Sequence, residues 1–231
     1  MVSATSLPIS LDADPAPSAT DALGAMVAAL EEDVVFGRLH PRERLVEDEL
    51  MARFDVKRHV AREALAALDR MGLIERRKNV GALVRSFSPQ EVEELYELRG
   101  MLETEAARKI PLPVDPVRLE RLVAIQHQHD AAVAQGHARL VFRINLAFHQ
   151  ELFSLTGNET LRKAIAEYAR QTHPIRFASL VSADYRERAR QEHWQMIEAL
   201  RAQDRDSLVR LCAEHLQPSR NAYLSAQAQR L

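Results

Sequence analysis

Residues 57–85 read KRHVAREALAALDRMGLIERRKNVGALVR, and the organisation of the chain turns on what that stretch becomes. Val60, Ala61, Ala64, Leu65 and Leu68 recur at helical spacing, which predicts a helix over 58–71 with one apolar face. Gly72 punctuates its C-terminus, since the residue after a helix often turns left-handed and glycine does so without steric cost. Leu73-Ile74-Glu75-Arg76-Arg77 and Ala82-Leu83-Val84-Arg85 then flank Lys78-Asn79-Val80-Gly81. Two short β-rich runs around a loop containing Asn and Gly predict a hairpin.

Working upstream, Leu23, Met26, Val27, Leu30, Val34 and Val35 also recur at helical spacing, with Asp21 placed to cap the helix and Gly37 to end it. A loop through Pro41 leads to a short helix over 47–54, and Phe54-Asp55-Val56 breaks the pattern before the next one. Three helices followed by a β-hairpin wing define a winged helix-turn-helix over 21–86. A helix matches the width of the DNA major groove, and its first turns meet base edges. Lys57, Arg58, His59 and Arg62 occupy that part of the third helix, away from its apolar stripe, and Arg58 and Arg62 are i, i+4 on one face. Arginine reads guanine bidentately, and lysine and histidine hold phosphates. Lys78, Asn79 and Gly81, at the wing tip, are placed to approach the minor groove or backbone.

Charge supports a polyanion partner. Residues 1–52 hold three Arg and ten acids, net −7; residues 53–85 hold nine Lys/Arg and four acids, net +5; residues 86–231 hold nineteen of each. The positive charge is thus concentrated in one short segment of a chain whose net charge is −2. The 231 residues are 46% hydrophobic and 28% charged, the balance of a globular protein, and the dominance of Ala, Leu, Arg and Glu favours helices. A single cysteine, Cys212, admits no disulfide within the chain, which suits the cytoplasm. No apolar run reaches ~18 residues, so no membrane-spanning helix is expected. Residues 1–20, rich in Pro, Ser, Ala and Asp, predict a disordered tail.

Residues 87–231 predict an all-helical second domain. Ser88-Pro89-Gln90-Glu91 is a capping box with proline at the first helical position, and Asp115-Pro116 starts another helix. Further helical patterns span about 137–156, 158–181, 184–202 and 204–228. Asn145 and His149 lie in a stripe with Phe142, Leu146, Leu152 and Phe153. His193 falls in line with Ala189, Ile197 and Leu200, and His215 with Leu208, Leu211 and Cys212. All three imidazoles point inward, and Asn145 and His149, being i, i+4, can meet one ion. One inward histidine is more often a satisfied core residue than a ligand. His127, His129, His137 and His173 show no such apolar company and are expected at the surface or in loops, as is His40.

The segment FGRLHPRERLVEDELMARFDVKRHVAREALAALDRMGLIERRKNVGALV resembles the DNA-binding domain of the GntR family of bacterial transcription regulators. The shared features are the Gly-Arg-Leu-x-Pro turn, the Glu-Arg-Leu-x-Glu-x-x-Leu helix, the Arg-x-x-x-Arg-Glu-Ala-Leu helix and the Asn-x-Gly-Ala wing. Where the family usually has Pro-Gly, this chain has Pro41-Arg42; where it has Ser-Arg-Thr-Pro-Val-Arg, this chain has Lys57-Arg58-His59-Val60-Ala61-Arg62. Residues 88–231 resemble the FCD ligand-binding domain of the FadR branch, through Asn145-x-x-x-His149, Glu192-His193-x-x-x-Ile197-x-Ala199-Leu200 and His215.

The resemblance implies a divalent metal, zinc or nickel, held by Asn145, His149, His193 and His215 within an effector pocket. The family position matched by Asn145 is commonly Asp. An amide and three neutral imidazoles leave a dication uncompensated, so a small carboxylate effector is expected to complete both shell and charge. Arg99 matches an arginine that lines the pocket in some relatives, and Arg143 and Arg176 are further candidates to neutralise the acid. The expected protein is a homodimeric repressor of operator DNA, released by its effector. Two alternatives remain: a DNA-binding regulator with a purely structural metal and no small effector, or a metal-dependent hydrolase. The last lacks any His-Glu-x-x-His, nucleophile elbow or phosphate loop, so the chain is not expected to be an enzyme.

Overall fold

The structure, a computed structural model, describes residues 19–176 and 182–228. Helix α1 (Ala19–Val35) begins two residues inside the expected tail, and the rest of that tail lies outside the described residues. Asp21 therefore sits within the first turn and not at its cap. Then follow β1 (Arg44–Leu45), α2 (Glu47–Phe54), α3 (Arg58–Arg70), β2 (Ile74–Arg77) and β3 (Gly81–Val84). The buried residues of α3 are Val60, Ala61, Ala64, Leu65 and Leu68, the five whose spacing predicted it. Ala61, Ala64, Leu65 and Leu68 pack with Met26 and Leu30 of α1, Leu50 of α2 and Ile74 and Ala82 of the sheet into one apolar core.

Local chemistry fixes the chain direction around α3. Gly72 has φ +71; its N–H donates to the Asp69 carbonyl at 2.9 Å and that of Leu73 to the Leu68 carbonyl at 3.0 Å, closing the helix end with its orphan carbonyls satisfied. The predicted hairpin, β2 and β3, lies within a three-stranded antiparallel sheet of order β1-β3-β2 centred on β3, with Arg44 opposite Leu83 and Ile74 opposite Val84. Strand β1 was not expected: two residues carry no periodicity, and only their pairing with β3 makes them a strand. Arg42, where the family usually has glycine, has φ +69, a left-handed conformation that costs a non-glycine residue about 1 kcal/mol.

The second half contains α4 (Pro89–Lys109), α5 (Pro116–Ala134), α6 (Ala138–Ser154), α7 (Glu159–Gln171), a 3-10 turn (His173–Ile175), α8 (Ala183–Arg201) and α9 (Arg205–Ala228). The Ser88 hydroxyl accepts from the Glu91 N–H at 3.2 Å while the Glu91 carboxylate accepts from the Ser88 N–H at 2.8 Å, completing the capping box. Asp115 caps α5 through the N–H groups of Val117 and Arg118. The helix expected over 158–181 stops at Gln171. Pro174 has no N–H to continue the α-helical ladder, and the chain tightens into the 3-10 turn His173–Ile175; residues 177–181 lie outside the described residues. No strand follows residue 86 among the described residues.

Phe148, Leu152, Met196, Ile197, Leu200 and Leu211 centre the bundle core, with Ala106, Ala107 and Ala199 letting helices approach. α4 packs along α9 and α5 along α6. The N-terminal half docks on the bundle through α1: Glu32 pairs with Arg139 and Arg143, Glu31 with His173, and Phe36 meets Phe142 edge-on. No helix among the described residues is long and apolar enough to cross a membrane.

Candidate metal centre and nucleic-acid interface

Helices α6, α8 and α9 bring His149, His193 and His215 together, each offering one ring nitrogen within 4.8 Å of the others. The His149 and His215 Nε2 atoms are 3.1 Å apart. Two imidazoles on one ion at ~2.1 Å each stand roughly 3.0–3.4 Å apart, so the pair is already at coordination spacing. His193 lies fully buried, its ring stacked 3.9 Å over Phe148. The outer nitrogens are tied down: His215 Nδ1 lies 2.6 Å from Glu192 Oε2, and His193 Nδ1 lies 2.9 Å from Gln126 Oε1. Both partners are acceptors, so both rings carry their proton on Nδ1 and turn an Nε2 lone pair inward. This is how metal-binding histidines are oriented. His193 Nε2 is buried and has no partner within the chain. The donor set therefore fits a divalent ion.

Burial holds His149 and His193 well below the ordinary histidine range, and the neighbouring imidazoles add to the effect. Both are neutral at pH 7, as ligation requires. Asn145, one turn before His149, is buried and lines a small cavity of about 70 Å³ together with His215, Glu192 and Arg176. Its side chain is an amide, a neutral oxygen donor weaker than a carboxylate.

Two histidines expected at the surface are buried. His129 of α5 is inaccessible, lies 4.9 Å from the His193 ring and lines the same cavity, with neither nitrogen partnered within the chain. Burial pushes it down to about 4. Its signal was present in the sequence: Leu122, Gln126, His129 and Ala132, at steps of four, three and three, are the buried stripe of α5. His173 sits in the 3-10 turn against Glu31 and Phe142. Its burial comes from the docking of α1, which no local pattern shows. His127, His137 and His40 are exposed as expected.

These imidazoles make stability depend on pH. In the unfolded chain each titrates near 6.5; folded, His129, His149, His173 and His193 titrate lower, so the unfolded state binds more protons in acid. Stability is full above pH 6.5 and falls as pH drops toward 4, with His129 alone contributing up to about 3 kcal/mol. Urea unfolding of the metal-free chain at pH 7.5, 6 and 5 is expected to show this decline; a flat profile would mean that the rings are hydrated and charged.

The three candidate effector arginines separate. Arg99 is buried, donating to Glu103 Oε1 at 3.0 and 2.7 Å and to the Thr172 hydroxyl at 3.0 Å. Arg176 is buried in the cavity wall, and burial, helped by the nearby Arg99, lowers it to about 10. Arg143 is half exposed and faces Glu32 of α1, away from the cluster.

On the other half, Lys57, Arg58, His59 and Arg62 are all exposed at the start of α3. Arg58 donates to Asp48 at 2.7 Å and Arg62 to Glu47 at 3.0 and 3.1 Å, so α2 holds both guanidinium groups in position. At the wing tip Lys78, Asn79 and Gly81 are exposed, with Asn79 at φ +65 and Gly81 at φ +104, the left-handed conformations a tight loop needs.

A basic helix and wing, carried on a helical bundle with a small cavity beside its histidine cluster, define a DNA-binding transcriptional regulator. The profile described as "Bacterial regulatory proteins, gntR family" matches residues 24–84, and that of the FCD domain matches residues 94–218. The chain belongs to the GntR family, in its FCD-containing form. It is 26% identical over 188 residues to the HTH-type transcriptional repressor RspR of Escherichia coli (strain K12), covering 81% of this chain and 82% of that one. Among solved structures, E. coli McbR/YncC superposes with a TM-score of 0.76 at 17% identity, covering 89% of this chain and 98% of that one. A transcriptional regulator from Rhodococcus sp. RHA1 gives 0.73 at 21%, covering 88% and 98%. The RspR and Rhodococcus proteins are both described as regulators of transcription.

Proposed function

We propose that the chain is an effector-responsive repressor, acting in the cytoplasm as a homodimer on a short palindromic operator. The observation that carries this reading is the convergence of His149, His193 and His215 beside a cavity walled by Arg176. His149, His193 and His215, with Asn145 beside them, hold a divalent zinc or nickel ion. Bound there, the metal supplies a Lewis-acidic anchor for a small carboxylate. The chain's own residues do the rest: Gln126 and Glu192 fix the rings, and Arg176, with Arg99 behind it, adds positive charge where an acid group lies. Two protomers present two copies of α3 to successive half-sites, with Lys57, Arg58, His59 and Arg62 toward the major groove and Lys78, Asn79 and Gly81 toward the backbone.

The test uses chelator-free protein, its metal content measured by mass spectrometry, on DNA from its own upstream region. Titration with pools of small carboxylates is expected to weaken DNA binding by about 5–150-fold, the usual size of such coupling. Chelator treatment should remove the response. Near-stoichiometric metal with no response to any pool would replace this reading with that of a structural metal.

A further inference from the structure

Strand β1 adds a cation to the DNA-reading half that spacing alone did not reveal. Arg44 is exposed at the edge of the sheet, opposite Leu83, while Leu45 beside it turns into the core. On one face of an antiparallel pair, diagonal neighbours lie roughly 7–8 Å apart, a gap that a long side chain spans. Toward the wing tip, the diagonal neighbour of Arg44 is Gly81, two residues along β3 from Leu83. A Cβ on Gly81 would stand 3.5 Å from Arg44 Nε and 3.8 Å from Nη2, so the guanidinium lies along bare backbone. It ends at the same end of the sheet as Lys78 and Asn79.

The cations of this half fall into two groups. Arg58 and Arg62 are held by Asp48 and Glu47, Arg77 by Glu75, and Arg38 and Arg53 by Asp33. Among the described residues, the Arg44 side chain meets no carboxylate. The acids close to it in the chain and on the sheet are engaged elsewhere. Glu43 accepts from the His40 N–H at 2.7 Å, and Glu47 accepts from Arg62 at 3.0 Å. Glu75, which shares the row of Arg44 and Leu83 across the sheet, pairs with Arg77 at 2.7 Å. An exposed guanidinium without an anion of its own meets a phosphate with no partner to give up. Arg58 and Arg62 must first release a carboxylate.

We propose that Arg44 is a DNA phosphate contact, laid along Gly81 so that its guanidinium meets the backbone beside the wing. Gly81 then has two roles: its φ of +104 turns the chain, and its missing side chain leaves a track for Arg44. The inference rests on the wing meeting DNA, as proposed for Lys78 and Asn79.

A phosphate contact carries no sequence information, so it acts on any duplex and its test needs no operator. The full-length chain is titrated with a scrambled duplex and with its own upstream DNA at several salt concentrations. Arg44→Gln, which keeps the stem and loses the charge, is expected to weaken both by about tenfold at low salt. The slope of log affinity against log salt should fall by about 1 per bound chain. Arg44→Lys should keep most of the binding, because a phosphate accepts a point charge. Arg121→Gln removes the same charge from an exposed position on α5 and is the control for net charge. Lys78→Gln tests the wing by itself: a loss there with none in Arg44→Gln overturns the inference and leaves the wing standing, and no loss in either removes both. Loss confined to the upstream DNA would make Arg44 a base reader. Equal loss in Arg44→Lys and Arg44→Gln, or a lowered melting transition in Arg44→Gln, would make it a residue of the fold. Each of these outcomes would overturn the proposal.

Discussion

The His193→Ala chain is expected to lose metal affinity by at least about 100-fold, since displacing only the partner of a ligating histidine already costs 10–100-fold. Of the three clustered imidazoles, His193 has the fewest alternatives. It is fully buried, stacked on Phe148, and bound through Nδ1 to Gln126, so Nε2 faces the cluster and nothing else. Removing the ring leaves Gln126 Oε1 without that donor and opens space against Phe148, which together cost about 2–5 kcal/mol of stability. Metal content should therefore be compared well below the melting transition, by equilibrium dialysis and mass spectrometry. Gln126→Leu keeps the ligand and loses only its orientation; an intermediate loss of roughly 10–100-fold is expected. His137→Ala, at an exposed position, serves as the control. Wild-type metal content in His193→Ala would mean that the three rings are core residues satisfied by one another, and the metal-dependent effector reading would fall with it.

Why the site was only partly legible follows from where each residue gets its environment. His193 and His215 sit on long helices whose apolar stripes are visible locally, so their inward direction could be read from spacing. His129 was equally readable in principle, but two of its stripe neighbours, Gln126 and Ala132, are polar or small and give a weak apolar signal. Gln126 itself becomes meaningful only once α8 delivers His193 to it. His173 and Glu31 are 142 residues apart and meet only because α1 docks on the bundle. Arg143 points to a similar limit: its exposed position on α6 meets Glu32 through the same docking, and the sequence has no means of separating a pocket arginine from an interdomain one. The DNA-reading half was more transparent, because its core residues and its exposed cations alternate within a single helix. Its one omission, β1, is a strand made by its partner.

The Arg58→Ala/Arg62→Ala chain is expected to bind its operator about a hundredfold more weakly or worse, since each guanidinium that reads a base bidentately contributes about 1–3 kcal/mol. In the free chain both arginines are engaged by α2: Arg58 with Asp48 at 2.7 Å, Arg62 with Glu47 at 3.0 Å, and Arg58 with Glu47 at 3.7 Å. These pairs are exposed and contribute only about 0–1 kcal/mol to folding, so the double variant should melt close to wild type. The same weakness lets DNA take the arginines over: binding exchanges a carboxylate for a base edge or a phosphate at little cost to the fold. Glu47 is then a competitor for DNA, and Glu47→Gln should tighten operator binding by about threefold, a change worth about 0.6 kcal/mol. Salt separates the two modes of contact. If an arginine meets a phosphate, its removal lowers the slope of log affinity against log salt by about 1; if it reads a base, affinity falls mainly for the cognate sequence. Unchanged operator affinity in the double variant would leave Arg58 and Arg62 as a clamp between α2 and α3, and recognition would have to rest on Lys57, His59 and the wing.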